Sequence, residues 1–151
     1  MRIRAVALTL GLAVVTAACG SISGAPPAPT SSATTAAGTD SALGEQSSEA
    51  AAITIVATWL ATGTPAVGVV MDTHSVDLDG FDLATLARLR LDGGPWVVAS
   101  AWDSPKGGHH REGTLAFAAV DRASLDAAML VELEIRDVAV PSRILRWERP
   151  R

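Results

Sequence analysis

The strictest pattern in this chain is an alternation of apolar and charged residues close to its C-terminal end. Residues 130–138 read LVELEIRDV, so an apolar side chain occupies every second position from 131 to 135. A period of two is typical of a strand that buries one face and leaves the other in water. The buried face needs a second layer to cover it, and the pattern therefore predicts a layered β-sheet domain.

Further short apolar runs divide the second half of the chain at intervals that suit strands. Turns rich in Gly and Pro separate them, as at residues 63–65 and 92–94. The predicted strands are 52–61, 66–73, 95–101, 114–120, 130–138 and 143–148. We expect a mostly β fold, an immunoglobulin-like β-sandwich of about six or seven strands with one short helix. Trp59, Trp96 and Trp147 lie in these runs and are expected in the core.

Residues 82–90 allow two interpretations. Leucines at a spacing of three indicate a helix that has Asp82 as its N-cap. Alternation at every second residue would instead give a strand, and we favour the helix. Residues 124–129 are predicted to form a single helical turn capped by Ser124.

The N-terminal residues have the character of a targeting signal. Arg2 and Arg4 precede an uncharged, mostly apolar run of 14 residues, 5–18. A helix that spans the hydrocarbon core of a membrane needs about 20 residues, so this run fits the apolar region of a secretory signal peptide. The run ends at Cys19, the only cysteine of the chain. A single cysteine excludes an intramolecular disulfide and a multi-cysteine zinc cluster.

The residues Thr16-Ala17-Ala18-Cys19 resemble the cleavage site of bacterial lipoprotein precursors, in which small residues precede a cysteine that is diacylated. That family usually has an aliphatic residue three places before the cysteine, where this chain has Thr16. The resemblance implies that residues 1–18 are removed and that Cys19 carries the lipid. The mature protein would then be anchored on the extracytoplasmic face of the cell membrane, since two acyl chains suffice for stable attachment.

The segment after Cys19 is predicted to be a tether. Of the 31 residues from 20 to 50, 25 are Ser, Thr, Ala, Pro or Gly. Such a composition cannot bury enough apolar surface to offset the entropy of ordering. We therefore expect a signal peptide at 1–18, a lipidated cysteine and disordered tether at 19–51, and a β-sandwich domain at 52–151.

The charge of the chain argues against nucleic acid as a partner. Its net charge is −4 at pH 7, and removal of residues 1–18 leaves ten Lys and Arg against 16 Asp and Glu, a net charge of −6. Nucleic-acid binders normally present a basic face. The expected partners are the membrane, through the lipid anchor, and an envelope protein or polymer.

All three histidines lie in two segments that are predicted to be loops. Residues 71–82 read MDTHSVDLDGFD, and residues 102–113 read WDSPKGGHHREG. The combination resembles a domain of uncharacterised secreted or lipid-anchored bacterial proteins, over about residues 69–148. The resemblance implies no established activity, because none is known for that group.

These loops could hold a metal ion, because imidazole nitrogens are ligands that copper and zinc prefer. The hypothetical site uses His74 with His109 and His110, and takes Asp72 or Asp103 as an oxygen ligand or supporting partner. Gly107 and Gly108 would permit the turn that such a site needs. The alternative is that these histidines are ordinary loop residues bonded to the acidic loop.

The sequence does not predict an enzyme, because no G-x-S-x-G elbow is present around any of its serines. We therefore expect a non-enzymatic binding or interaction module that is anchored in the cell envelope by lipid. The alternative function is a copper- or zinc-binding envelope protein that uses the three-histidine site.

Overall fold

In a computed structural model, which describes residues 43–150, nine strands form two antiparallel sheets. The first sheet has the order β1-β2-β3-β7-β6, and the second has the order β5-β4-β8-β9. The strands are β1 Gln46–Ala50, β2 Ile53–Leu60, β3 Ala66–Thr73, β4 Ala87–Leu91, β5 Val97–Val98, β6 Ala101–Trp102, β7 His110–Ala116, β8 Leu130–Arg136 and β9 Ser142–Glu148. Two short helices are α1 Leu83–Leu86 and α2 Arg122–Ala127. The predicted mostly β sandwich is confirmed, whereas the signal peptide and Cys19 lie outside the described residues.

The inward faces of the two sheets form one core. In β8 the alternating residues Val131, Leu133 and Ile135 are fully buried, as their period of two predicted. Trp59 and Trp147 are also buried, and their rings meet edge to face with centroids 5.5 Å apart. Offset and edge-to-face ring pairs add to the stabilisation that burial provides. None of the helices in residues 43–150 is long and apolar enough to cross a membrane.

The domain begins before the expected boundary at residue 52. Strand β1 pairs along the whole length of β2, Leu43 is buried in the core, and the indole Nε1 of Trp147 donates to the Gly44 carbonyl at 2.5 Å. Placing residues 43–51 in the tether was wrong. Their small polar side chains suit an edge strand, whose backbone groups are satisfied by pairing rather than by burying large side chains.

A buried arginine closes the seam between the first and the last strand. Arg143 of β9 is 4% exposed, and its guanidinium donates to the carbonyls of Ser48 and Ala50 in β1. It also donates to the carbonyls of Ile53, at 3.0 Å, and Val138, at 3.3 Å. Burial lowers the pKa of Arg143. One side chain of the second sheet thus satisfies the backbone of a hairpin in the first.

Residues 82–90 divide between the two predicted conformations. Helix α1 occupies Leu83–Leu86, and Asp82 caps it as expected, with its side chain accepting from the backbone N–H of Ala84 at 3.0 Å. Strand β4 then begins at Ala87. The predicted helix is therefore too long, because the alternation of its second half pairs with β8. Helix α2 is capped by Asp121 rather than Ser124, whose N–H donates to that carboxylate.

The chain changes sheets between β5 and β6, where a single strand at 95–101 was predicted. The N–H of Ala99 donates to Ala87 in the second sheet, and the N–H of Ser100 donates to Ala116 in the first. In immunoglobulin constant domains the third strand crosses to the other sheet. Here β3 stays in the first sheet beside β2, and the chain enters the second sheet at β4.

Candidate functional site

The two histidine-containing segments contact each other at one end of the sandwich. The carboxylate of Asp79 accepts from the backbone N–H groups of Gly107, at 2.9 Å, and Gly108, at 3.1 Å. These two hydrogen bonds are the main reason why the pKa of Asp79 is lowered. Gly107 has no room for a side chain, because a Cβ atom there would lie 2.3 Å from the carbonyl oxygen of His110. The predicted turn at the glycines is confirmed, with Gly108 at a φ of 66°.

Arg111 bonds to both segments from the inward side of β7. Its side chain is 6% exposed, and Nη1 donates to the carbonyls of Leu78, at 3.0 Å, and Phe81, at 2.7 Å. On the other segment, Nε donates to Pro105 and Nη2 donates to Ser104. The guanidinium therefore joins the two loops through their backbone carbonyls. We call this arrangement, with Asp79, the loop clasp.

The sequence does not predict the clasp, because Arg111 lies within residues 102–113, which are predicted to form a loop. It lies in β7, which begins at His110, four residues before the predicted strand. One signal was available in the sequence. Arg111 has the same parity along the strand as Leu115, which is fully buried, so the alternation places Arg111 on the inward face.

His110 and Asp72 form an exposed pair on the outer face of the first sheet. They are directly opposite in the pairing of β3 with β7, and Nδ1 of His110 lies 2.5 Å from Oδ1 of Asp72. Their side chains are 60% and 53% exposed. The hydrogen bond and the negative charge of Asp72 raise the pKa of His110. A neutral ring with its proton on Nδ1 would leave Nε2 as an acceptor toward solvent.

The other members of the hypothetical metal site do not gather around His110. His109 and Asp103 bond to separate neighbours. Nδ1 of His109 lies 2.8 Å from the Val76 carbonyl, and Asp103 accepts from the backbone N–H of Thr114. His74 lines an open groove of about 330 Å³ together with Glu49 and Asp72. Over residues 43–150, no three His, Cys, Asp or Glu side chains are grouped so that they could hold a metal ion.

Strand pairing extends the pair into a row of polar side chains. Glu49, Thr54, Asp72 and His110 are opposite one another across β1, β2, β3 and β7. Such a row offers carboxylate oxygens, a hydroxyl and a ring nitrogen to a partner. It can form hydrogen bonds and attract positive groups. The loop clasp fixes the end of the sheet on which the row stands.

Comparisons with known proteins give no further direction: no protein-family model, curated protein or solved structure matches the chain. The site must be interpreted from its own geometry.

We expect Asp72→Asn to lower the pKa of His110 toward its ordinary value, because the charge and hydrogen bond of Asp72 raise it. The folded protein holds this proton more tightly than the unfolded chain. The pair therefore stabilises the fold fully below the ordinary histidine pKa of about 6.5, and the contribution disappears as pH rises through the folded-state value. The measurement is an NMR titration of the histidine Cε1–H signals. Asp77→Asn is the control, and an unchanged His110 titration in Asp72→Asn would contradict the assignment.

Proposed function

We propose that the chain is a lipid-anchored envelope protein whose β-sandwich is a non-enzymatic binding module on the extracytoplasmic face of the membrane. The short apolar run that ends at the single Cys19 supports the anchor. Cys19 follows small residues, as in the lipoprotein cleavage site that this segment resembles, and two acyl chains give stable attachment. The expected partner is a protein or polymer of the same envelope.

One observation carries the binding part of the proposal: exposed polar side chains stand on a rigidly clasped end of the sandwich. Asp72, His74 and His110 are exposed, whereas Arg111 and Asp79 hold the loops beside them through backbone groups. Recognition residues are commonly carried by loops that a rigid scaffold positions. Since the frame is ordered before binding, little conformational entropy is lost when a partner docks.

Two serine hydroxyls of the described residues bond to backbone carbonyls and not to a general base, which supports a non-enzymatic role. The hydroxyl of Ser100 donates to the Ala116 carbonyl, and that of Ser104 donates to the Pro105 carbonyl. A serine nucleophile instead needs its hydroxyl bonded to a general base. We do not propose the copper or zinc alternative, because His109 and His110 each direct Nδ1 to a separate neighbour.

The test has two arms that use Cys19→Ser. In the first, the full chain is expressed in a bacterium with labelled palmitate. Wild type is expected to take up label and to sediment with membranes, whereas Cys19→Ser loses both properties. Ser21→Ala is the matched control. Equal membrane association of the Cys19→Ser protein would contradict the anchor.

In the second arm, the mature Cys19→Ser chain is sedimented with isolated cell envelopes. We expect Asp72→Ala with His110→Ala to weaken binding about tenfold, the size of a moderate interface contribution. Asp126→Asn, an exposed change in α2 beside the turn between β2 and β3 at the other end of the sheet, is expected to bind like wild type. If the double variant binds envelopes as tightly as wild type does, the polar row that contains Asp72 and His110 is not the binding site.

A further inference from the structure

The outer face of the second sheet carries a network of arginines over buried glutamates. Glu132 of β8 lies opposite Arg90 of β4 on one side and Arg146 of β9 on the other, and it forms ion pairs with both. Glu134 pairs with Arg88 in the next row. The two glutamate side chains are only 4% and 10% exposed. Hydrogen bonds from Arg90 and Arg146 lower the pKa of Glu132.

The arginines therefore lie over Glu132 and Glu134 at the surface of this face, and Glu148 is an exposed carboxylate on the same side at the end of β9. Arg88, Arg90 and Arg146 each use Nε for the glutamate. Over residues 43–150, no hydrogen bond is formed by their Nη atoms. A guanidinium whose Nη groups are uncommitted can bind a further carboxylate.

Apolar groups complete the same face. The ring of Trp96 lies 4.6 Å from the guanidinium carbon of Arg88 and 4.3 Å from that of Arg90. Trp96 was expected in the core and instead packs against these arginines. Val98 and Ile144 are 52% and 40% exposed at the two ends of one cross-strand row. Arginine, tryptophan and exposed aliphatic groups are the composition of protein interfaces. We call this surface the arginine face.

The opposite face of the sandwich has the complementary charge. The outward positions of the first sheet include Glu49, Asp72 and Glu112, which are exposed, and Val56 and Val70 between them. No Lys or Arg occupies an outward position in β1, β2, β3 or β7 of the described sheet. We call this surface the acidic face.

We propose that the acidic face of one copy docks on the arginine face of a second copy. Because the two faces lie on opposite sides of the sandwich, the contact is head to tail and extends into open rows. Carboxylates such as Glu112 would meet the uncommitted Nη groups, and the valines would meet the exposed aliphatic residues. The inference rests on the proposed lipid anchor only for the local concentration that brings copies together.

The size of the faces indicates a weak contact. Four strands about 4.8 Å apart and about six residues long give roughly 400 Å² on each copy. The total buried area of roughly 800 Å² is below that of stable complexes. Anchoring in one membrane plane confines the copies to a thin layer and raises their local concentration, so a weak contact is populated more than it would be in free solution.

The place where the chain enters the domain favours a second copy over the lipid surface as the occupant. Leu43 and Gly44 lie at the seam between β1 and β9, where the edges of the sheets meet. Residues 43–44 therefore occupy an edge of the sandwich and cover neither outer face, so the described part of the chain leaves both faces open to a neighbouring copy.

The experiment measures self-association of the mature Cys19→Ser chain by sedimentation velocity up to about 1 mM, at which a contact with a dissociation constant of about 1 mM is populated. A salt concentration of about 0.15 M gives a screening length of about 8 Å, so the net negative charge of the copies matters less than contacts within the interface. We expect the average mass of wild type to rise with concentration. A chain that stays monomeric at 1 mM would overturn the proposal, whatever the palmitate experiment shows.

Two neutralised variants test the head-to-tail geometry. Ile144→Ser with Arg146→Ser alters the arginine face, and Glu49→Gln with Glu112→Gln alters the acidic face. Each is expected to associate about tenfold more weakly. Mixed together, the two variants still have one intact face each, so they should form one-to-one dimers that do not grow further.

All four substituted side chains are partly or fully exposed, and thermal unfolding monitored by circular dichroism verifies that each variant folds. Lys106→Gln with Asp137→Asn changes two charges outside both faces and is expected to associate like wild type. Failure of the mixture to dimerise would refute the geometry. So would binding of wild type to phosphatidylglycerol vesicles that depends on Arg146 while self-association is absent, because the arginine face would then belong to the membrane.

Discussion

Arg143→Met is expected to lower the free energy of unfolding by about 3 kcal/mol, because a buried carbonyl that loses its donor costs about 1–3 kcal/mol. The methionine keeps an apolar stem of similar length but cannot reach the four carbonyls that the guanidinium satisfies. Denaturation in urea, monitored by tryptophan fluorescence, gives the value. We expect strand β1 to lose hydrogen-exchange protection first, since three of the four acceptors lie in or next to it.

Two related variants separate this role from a general effect of charge. Arg143→Lys keeps the positive charge but has a single donor group, so its stability should lie between those of wild type and Arg143→Met. Arg122→Met removes an exposed arginine whose ion pair with Asp126 spans one helical turn, and should change stability by less than about 0.5 kcal/mol. Equal losses in Arg122→Met and Arg143→Met would contradict the seam interpretation.

Arg111→Met is expected to cost about 2–3 kcal/mol and to release the loop clasp, since its donors satisfy carbonyls in both loops. The amides of Leu78 and Gly108 should then exchange faster than those of the second sheet. Envelope binding should fall together with this protection, because the row on the outer face would lose its rigid support. Hydrogen exchange followed by NMR measures both regions in one sample.

The matched control for Arg111 is Lys106→Met in the same loop. Lys106 is exposed, and its removal should leave the exchange of Leu78 and Gly108 unchanged. Loss of protection spread evenly over both sheets in Arg111→Met would show that the residue supports the core as a whole and not the clasp.

Apolar alternation predicted most of the sandwich because the core is built from it. The buried side of β8 and the tryptophans of β2 and β9 follow directly from the period of two. Strand β1 escaped prediction for a physical reason. An edge strand of Gln, Ser, Glu and Ala is held by backbone pairing, and its small and polar side chains show no apolar alternation.

The same alternation along the strands places Arg111 and Arg143 at inward positions. Arg143 has the inward parity of Leu145 and Trp147, and Arg111 has that of Leu115. Charge alone suggested surface positions for both. Their acceptors are backbone carbonyls in distant segments, which no residue spacing specifies.

Part of the candidate site could likewise be predicted. The two histidine segments are assigned to one site from the sequence, and Asp79 and Arg111 join these segments in the structure. The presence of three histidines in the sequence does not show whether their rings face one common metal position. Each ring orientation depends on its nearest acceptor, such as the Val76 carbonyl for His109.

The seam between the first and the last strand also determines when this domain can fold. The hydrogen bonds that close it join residues 95 and 103 positions apart, from Ser48 to Arg143 and from Gly44 to Trp147. Contacts of such long range slow folding, and here they cannot form until the end of the domain has been synthesised. If the chain is exported as proposed, this delay keeps the polypeptide in the unfolded state that passage through a membrane channel requires.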